Sequence, residues 1–406
     1  MDVSILGITV VFSFWEIIDV WAGHAGAILQ AKRMGKCLVV GVHSDEEITV
    51  NKGPPVMTLE ERYICPWEVS DCRCASVEAC KWTDEVVPYA PYVTEEPWID
   101  RYGCQYVVHG DDISTDADGK DCYEGVKKAG RFLVCKRTEG ISTTGTISPF
   151  LSSDSGDLVG RMLLCTRNHL IPPSSNIFTE SKTVEMLKNY ASPPSGSGLG
   201  TSVFRFQNDS LVPIIKGNLP TQDRKVIYVD GTFDLFTPGH IELLRLISAS
   251  SDPPPCVVVG IHDDYAINKI KGYNYPIMNI LERSLVVLQC KYVSALVVSA
   301  PYTPSKLYLT QQLGPLKPVE VWHGPRKVIE APGEGDPYAD ATEMGILRTI
   351  DKHPWDDISA RKIVDRILNR RIEFEERQRK KGVKSDLERE MKMSTFEVNP
   401  WAEQDR

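Results

Sequence analysis

The sequence predicts an α/β protein made of two tandem copies of one unit, each a parallel sheet with helices on both faces. Three observations carry that prediction. The chain matches itself, CLVVGVHSDEEITVNKG (37–53) pairing with CVVVGIHDDYAINKIKG (256–272) nearly position for position. Four further blocks recur in the same order: GHAGAILQ (23–30) with GHIELLRL (239–246), VMTLEER (56–62) with IMNILER (277–283), ACKWTDEVVPYAPYV (79–93) with QCKYVSALVVSAPYT (289–303), and VVHG (107–110) with VWHG (321–324). Each copy also alternates short apolar runs, LVVGV or VVVGI, with segments of helical period, the pattern of a parallel sheet covered on both sides.

Each copy reads as strand, Gly-His turn, helix, apolar strand, then helix and strand again. The second copy shows its start most clearly. Val226-Ile227-Tyr228 is a buried strand, IELLRLI has the spacing of a helix, and Gly231, Pro238 and Gly239 shape the turn between them. In such sheets ligands gather at the carboxyl ends of the strands, where this sequence puts its His and Gly residues. PPSSN (172–176) and ASPPSGSGLGTS (191–202) read as flexible linker. The expected division is a first unit at 1–170, a linker at 171–222, a second unit at 223–370 and a charged helical tail at 371–406. The first unit departs from the second in an altered start and in two stretches without a counterpart, near 64–74 and 145–156.

Composition narrows the function. Over 406 residues, 42% hydrophobic and 25% charged is normal for a soluble globular protein. A net charge of −9 with no Lys/Arg block argues against nucleic-acid binding, which needs a basic face. The apolar start VSILGITVVFSFW follows Asp2 rather than a positive cluster, and Glu16 ends it well short of the ~20 residues a membrane span needs. Eleven cysteines without framework spacing fit a reducing cytoplasmic compartment. Cys65, Cys72, Cys74 and Cys80 crowd together without paired C-x-x-C spacing, so no metal centre is expected of them.

The chemistry-bearing residues sit at matched places. Gly23-His24 and Gly239-His240 put an imidazole and backbone N–H groups at helix N-termini, where an anion would lie. Lys52-Gly53 and Lys271-Gly272 each offer a point charge beside a flexible glycine, suited to phosphate. KRTEGISTT (136–144) occurs in the first copy alone. Arg137 there supplies a planar fork for phosphate oxygens, and Ser142, Thr143 and Thr144 add hydroxyl donors where a helix is expected to open. No Walker lysine motif is present, so this is not a P-loop.

In this order, within a repeated βαβ unit, these elements resemble the cytidylyltransferase family, whose signatures are G-x-F-D-x-x-H-x-G-H and R-T-x-G-x-S-T. The tandem arrangement is similar to that of members acting on phosphoethanolamine. The resemblance implies two Rossmann-like nucleotidyltransferase domains and a reaction in which CTP and phosphoethanolamine give CDP-ethanolamine and pyrophosphate, with Mg2+ carried on the CTP. It implies that His24, Lys52, Arg137, His240 and Lys271 handle the phosphates. Nucleotide contacts would come from His109, Gly110, Asp111, Asp112, Thr138, Ser142, Thr143 and Thr144 in the first unit. Their partners in the second are Thr232, Phe233, Asp234, Gly239, His323 and Gly324. Asp45, and Trp82 through a cation–π contact if it does not simply pack in the core, would face the ethanolamine ammonium. A cytoplasmic enzyme, peripheral to the endoplasmic reticulum where the pathway's product is made, is the corresponding expectation, with room for a homodimer.

Neither copy keeps the whole family pattern. Trp21 and Thr237 stand where the first histidine of H-x-G-H belongs. The second unit has DDISARKIV (356–364) in place of R-T-x-G-x-S-T-T, and the first lacks D-G-x-F-D. Two alternatives therefore stand beside the enzyme: a catalytically impaired nucleotide-binding or regulatory form, and a cytidylyltransferase with another phospho-alcohol acceptor.

Overall fold

The computed structural model describes residues 9–14, 21–55, 57–58, 75–111, 114–136, 161–162, 167–219, 221, 223–330, 333 and 335–373. In the first unit the order is β1 (Thr9–Phe14), α1 (Trp21–Met34), β2 (Cys37–His43), α2 (Asp45–Lys52), α3 (Ala75–Glu78), β3 (Glu85–Ala90), α4 (Glu96–Arg101), β4 (Tyr106–Gly110), α5 (Glu124–Lys128) and β5 (Phe132–Cys135). Its five strands are parallel, in the order β3-β2-β1-β4-β5. β2 is an unbroken apolar run because both its faces are covered, and all of it but Cys37 is buried.

Before the second unit come α6 (Ser181–Tyr190), β6 (Ser202–Gln207) and β7 (Ser210–Ile215). The second unit holds β8 (Val226–Gly231), α7 (Pro238–Ser248), β9 (Cys256–His262), α8 (Asp264–Lys271), α9 (Ile280–Leu288), β10 (Ala295–Ala300), β11 (Glu320–His323), α10 (Ala339–Glu343), β12 (Leu347–Thr349) and α11 (Ala360–Asn369). Its sheet runs β12-β11-β8-β9-β10-β6-β7, the first unit's order with two strands added at the β10 edge. The stretch 171–222 is therefore not simply linker. It supplies a helix and a hairpin that turns at Asn208-Asp209, both at positive φ, and that covers the edge of the second sheet. Proline, serine and glycine made this stretch read as linker, whereas the apolar pattern VFRFQ followed by LVPII is what the hairpin uses.

Strand register settles how the altered start aligns. Thr9 pairs with Cys37 as Val226 pairs with Cys256, so Ser13 and Phe14 occupy the places of Asp230 and Gly231. Thr9–Phe14 of the apolar N-terminal run is thus a sheet strand, and among the described residues no helix is long and apolar enough to cross a membrane. Tyr89 and Ser299 share the left-handed region and a register shift at one equivalent place, the end of β3 and of β10. The same bend toward the carboxyl edge is built twice.

The units meet through matching segments. Lys81 N donates to Gln289 O (2.9 Å), Lys291 N donates to Ala79 O (2.8 Å), and Cys80 pairs antiparallel with Cys290. Each bond recurs with the two units exchanged, and Cys80 meets its own counterpart, the mark of a two-fold relation. α1 packs on α9, and α3 on α7, in keeping with it. One apolar core runs through the junction, from Leu29 and Trp82 to Leu244 and Leu285. The cysteines among the described residues are free thiols.

Candidate active site

In the second unit the chain leaves β8 through Thr232 and enters a tight turn in which Phe233, Leu235 and Phe236 all have positive φ. The strain is held by Asp234, whose buried carboxylate accepts the N–H groups of Ile277 (2.8 Å) and Met278 (2.9 Å). Arg283, fully buried, ties the same corner together. It donates to the carbonyls of Thr232 (2.7 Å), His262 (2.7 Å) and Met278 (3.0 Å), and to Asp264 Oδ1 (2.6 Å). Lys271, at the end of α8, donates to Thr232 Oγ1 at 3.3 Å, and burial lowers its pKa.

α7 begins at this turn. Thr237 is its N-cap, and its N–H donates to His240 Nδ1 at 2.9 Å, with Thr237 Oγ1 3.1 Å from the same nitrogen. Nδ1 is therefore an acceptor, and the neutral ring carries its proton on Nε2. Burial, with Lys271 and Arg326 nearby, pushes the His240 pKa down to about 3, so the ring is an uncharged donor at neutral pH. Gly239 is required by packing: a Cβ there would meet the Trp355 carbonyl oxygen at 2.8 Å. That contact belongs to the turn leading into DDISARKIV, so the segment that replaced R-T-x-G-x-S-T-T lies against the Gly-His helix start. β11, beside β8 in the sheet, brings His323 and Gly324 to the same edge, where His323 lies 5.1 Å from the Tyr338 ring.

The first unit repeats the plan. Ser44 caps α2, accepting the N–H of Glu47 (3.2 Å), and Asp45 opens that helix while Lys52 closes it. His109, next to last in β4, is half-buried 4.8 Å from the Tyr123 ring, and burial with Lys52 nearby pushes its pKa down to about 3. Gly110 and the exposed Asp111 follow it. His24 lies in the first turn of α1, and a Cβ on Gly23 would meet nothing within 4 Å. His43 and His262 each place Nδ1 on a carbonyl, of Ala90 (2.8 Å) and Ala300 (3.2 Å), the bonds of satisfied core histidines.

The family whose description is cytidylyltransferase-like matches this chain over residues 66–148 and 228–366, one segment in each unit. An ethanolamine-phosphate cytidylyltransferase of Dictyostelium discoideum is 42% identical over 89% of this chain and 91% of its own length. One from Mus musculus is 39% identical over 91% of this chain and 90% of its own. A probable one from Schizosaccharomyces pombe is 39% identical over 90% of this chain and 92% of its own. The chain belongs to the cytidylyltransferase-like family.

Among the residues singled out on that resemblance, the cytidylyltransferase-like fold brings Thr232, Gly239, His240, Lys271, His323 and Gly324 to one sheet edge. Two others belong to the framework. Phe233 is buried against Gly231 and the His240 ring, and both Asp234 oxygens are held by backbone, so each shapes the turn and neither presents its side chain to a nucleotide. Trp82 is corrected outright. It has no exposed surface, donates Nε1–H to Pro193 O (3.2 Å) and meets Tyr190 edge-on, so it packs the junction and cannot reach an ammonium group. Asp112, Arg137, Thr138, Ser142, Thr143 and Thr144 lie outside the described residues. Arg283 was missed as a support of the site, although its recurrence at Arg62 in the aligned blocks was the available signal.

The same carboxylates test the fit of magnesium. Asp234 is used by backbone, Asp264 by Arg283 and the Ile171 N–H, and Asp263 by Ser299 Oγ. Among the described residues no group of three or more His, Cys, Asp and Glu side chains is placed to hold a metal ion.

Proposed function

We propose that the protein transfers a cytidylyl group from CTP to phosphoethanolamine, giving CDP-ethanolamine and pyrophosphate for phospholipid synthesis. The observation that carries this reading is a tandem pair of cytidylyltransferase-like units, each with a Gly-His helix start and a lysine after its second strand, in a chain that is similar over about nine-tenths of its length to relatives named for that reaction. An oxygen of the acceptor phosphate attacks the α-phosphorus of CTP, the bond to the bridging oxygen breaks, and its electrons leave with pyrophosphate. The nucleophile is already anionic, so no strong base is needed, and catalysis consists of alignment and charge neutralisation.

The side chains suit that task. His240 donates from Nε2 without being titrated, Lys271 is fixed on Thr232, and Arg326 adds charge beside them. Lys52 and Arg137 are the corresponding cations of the first unit. Magnesium bound to the triphosphate would neutralise further charge. The Thr237 bond to His240 favours an active enzyme over an impaired one, because the second histidine is held without the first. Pyrophosphate release by the purified chain with CTP and magnesium tests the proposal. Release with phosphoethanolamine and much less with phosphocholine is expected. No release with phosphoethanolamine, or equal release with both, refutes the assignment.

A further inference from the structure

Residues 161–162 and 167–171, which follow the RTEGISTT motif in the chain, are bonded into the second unit through Arg161, His169 and Ile171. Arg161 is buried, and its guanidinium forms a fork on Glu282, 2.8 Å to Oε2 and 3.0 Å to Oε1, with the Ile277 carbonyl at 3.2 Å. Asn274 Nδ2 donates to the Arg161 carbonyl (2.7 Å), and His169 Nε2 donates to the Pro276 carbonyl (2.6 Å). Asp264, the partner of Arg283, accepts the Ile171 N–H (2.8 Å).

The Arg161 and His169 bonds converge on one piece of backbone, 274–278, and on the start of α9 that follows it, while the Ile171 bond fixes Asp264 at the start of α8. Ile277 is bonded on both sides: its carbonyl accepts from Arg161, and its N–H is held by Asp234 of the second unit's strand-end turn. Burial would raise the Glu282 carboxyl, but Arg161 outweighs it and keeps the group ionised. Glu282 also accepts the Asn279 N–H (2.8 Å), closing the capping box that starts α9. The guanidinium thus sets both the helix start and the loop on which Asp234 hangs. Arg366 occupies the equivalent place in the second copy, IVDRIL against LVGRML, so each unit carries an arginine at this position.

We propose that Arg161 is a positioning residue which the first unit lends to the second, holding the 274–278 loop so that Asp234 keeps the strand-end turn in shape and Thr232 and Lys271 keep a phosphate-binding arrangement. The second site is then incomplete without a segment of the first unit. This rests on the reading of that edge as a phosphate site, and the experiment separates the two claims. The full chain is titrated calorimetrically with CTP and magnesium, and the part of the binding lost in Lys271→Ala defines the second unit's contribution. Arg161→Gln weakens that part roughly tenfold, Arg161→Lys restores much of it, and the part that depends on Lys52 is unchanged. Should Arg161→Gln not fold, Asn274→Ala, which loosens the same loop while leaving the fork, reads out the same loss. An Arg161→Gln chain that titrates like the wild type overturns the proposal, as does binding with no Lys271-dependent part. This binding pattern without pyrophosphate release would count against the proposed activity and leave the positioning role standing.

Discussion

Two glycines before two histidines do different work. Gly239 lets the start of α7 lie on the Trp355 carbonyl, whereas Gly23 faces open space. Gly239→Ala is expected to cost about 1–3 kcal/mol of stability and Gly23→Ala almost none, as thermal unfolding of the two variants would show. His240 yields a pH prediction. Its native pKa of about 3 lies below the usual 6.5, so between those values the unfolded chain binds a proton that the native one does not. Its contribution to stability is therefore full above pH 6.5 and is lost as the pH falls toward 3. A pH–rate profile should show no inflection from this ring between pH 5 and 8, and one that disappears in His240→Asn would contradict the neutral-donor role.

The elements at the junction carry the next tests. Lys81 is buried beside Trp82 and 3.5 Å from Thr201 Oγ1, and burial pushes its pKa down to about 7 from 10.5. Between those values the unfolded lysine holds a proton that the native one lacks, so stability rises with pH by roughly 3 kcal/mol from pH 7 to 10. Lys81→Met should stabilise the protein at pH 6, with a gain that shrinks toward pH 10; equal gains at both would refute the buried-ammonium account. The hairpin β6–β7 is integral to the second sheet, so limited proteolysis should leave 181–215 uncut. Rapid cleavage there would restore the linker reading. The sequence could not show this pairing, because strand addition at a sheet edge depends on a partner, β10, about ninety residues further along the chain. Trp82 was open to two readings for a similar reason: whether an aromatic faces ligand or core is decided by what lies opposite, here Tyr190 and Pro193.

At the scale of the molecule, the tandem architecture was legible because the blocks around VGVH and VGIH recur in order, and register confirms their alignment to the residue. The candidate site was legible as a set of lysines, histidines and glycines expected at strand ends. Which of them would present a side chain was not, since Asp234 and Phe233 belong to the motif and yet serve the turn. The division of labour between the units is open to a direct comparison of Lys52→Ala and Lys271→Ala. A cation that meets developing phosphate charge is worth roughly a hundredfold or more in kcat, so the unit performing the chemistry should show that loss and its partner a smaller one. The central claim, attack by the acceptor phosphate on the α-phosphorus of CTP, is tested most directly with phosphoethanolamine carrying 18O in its phosphate. The purified chain, CTP and magnesium should give CDP-ethanolamine that retains the label and pyrophosphate that has none; labelled pyrophosphate, or no CDP-ethanolamine at all, would contradict the account.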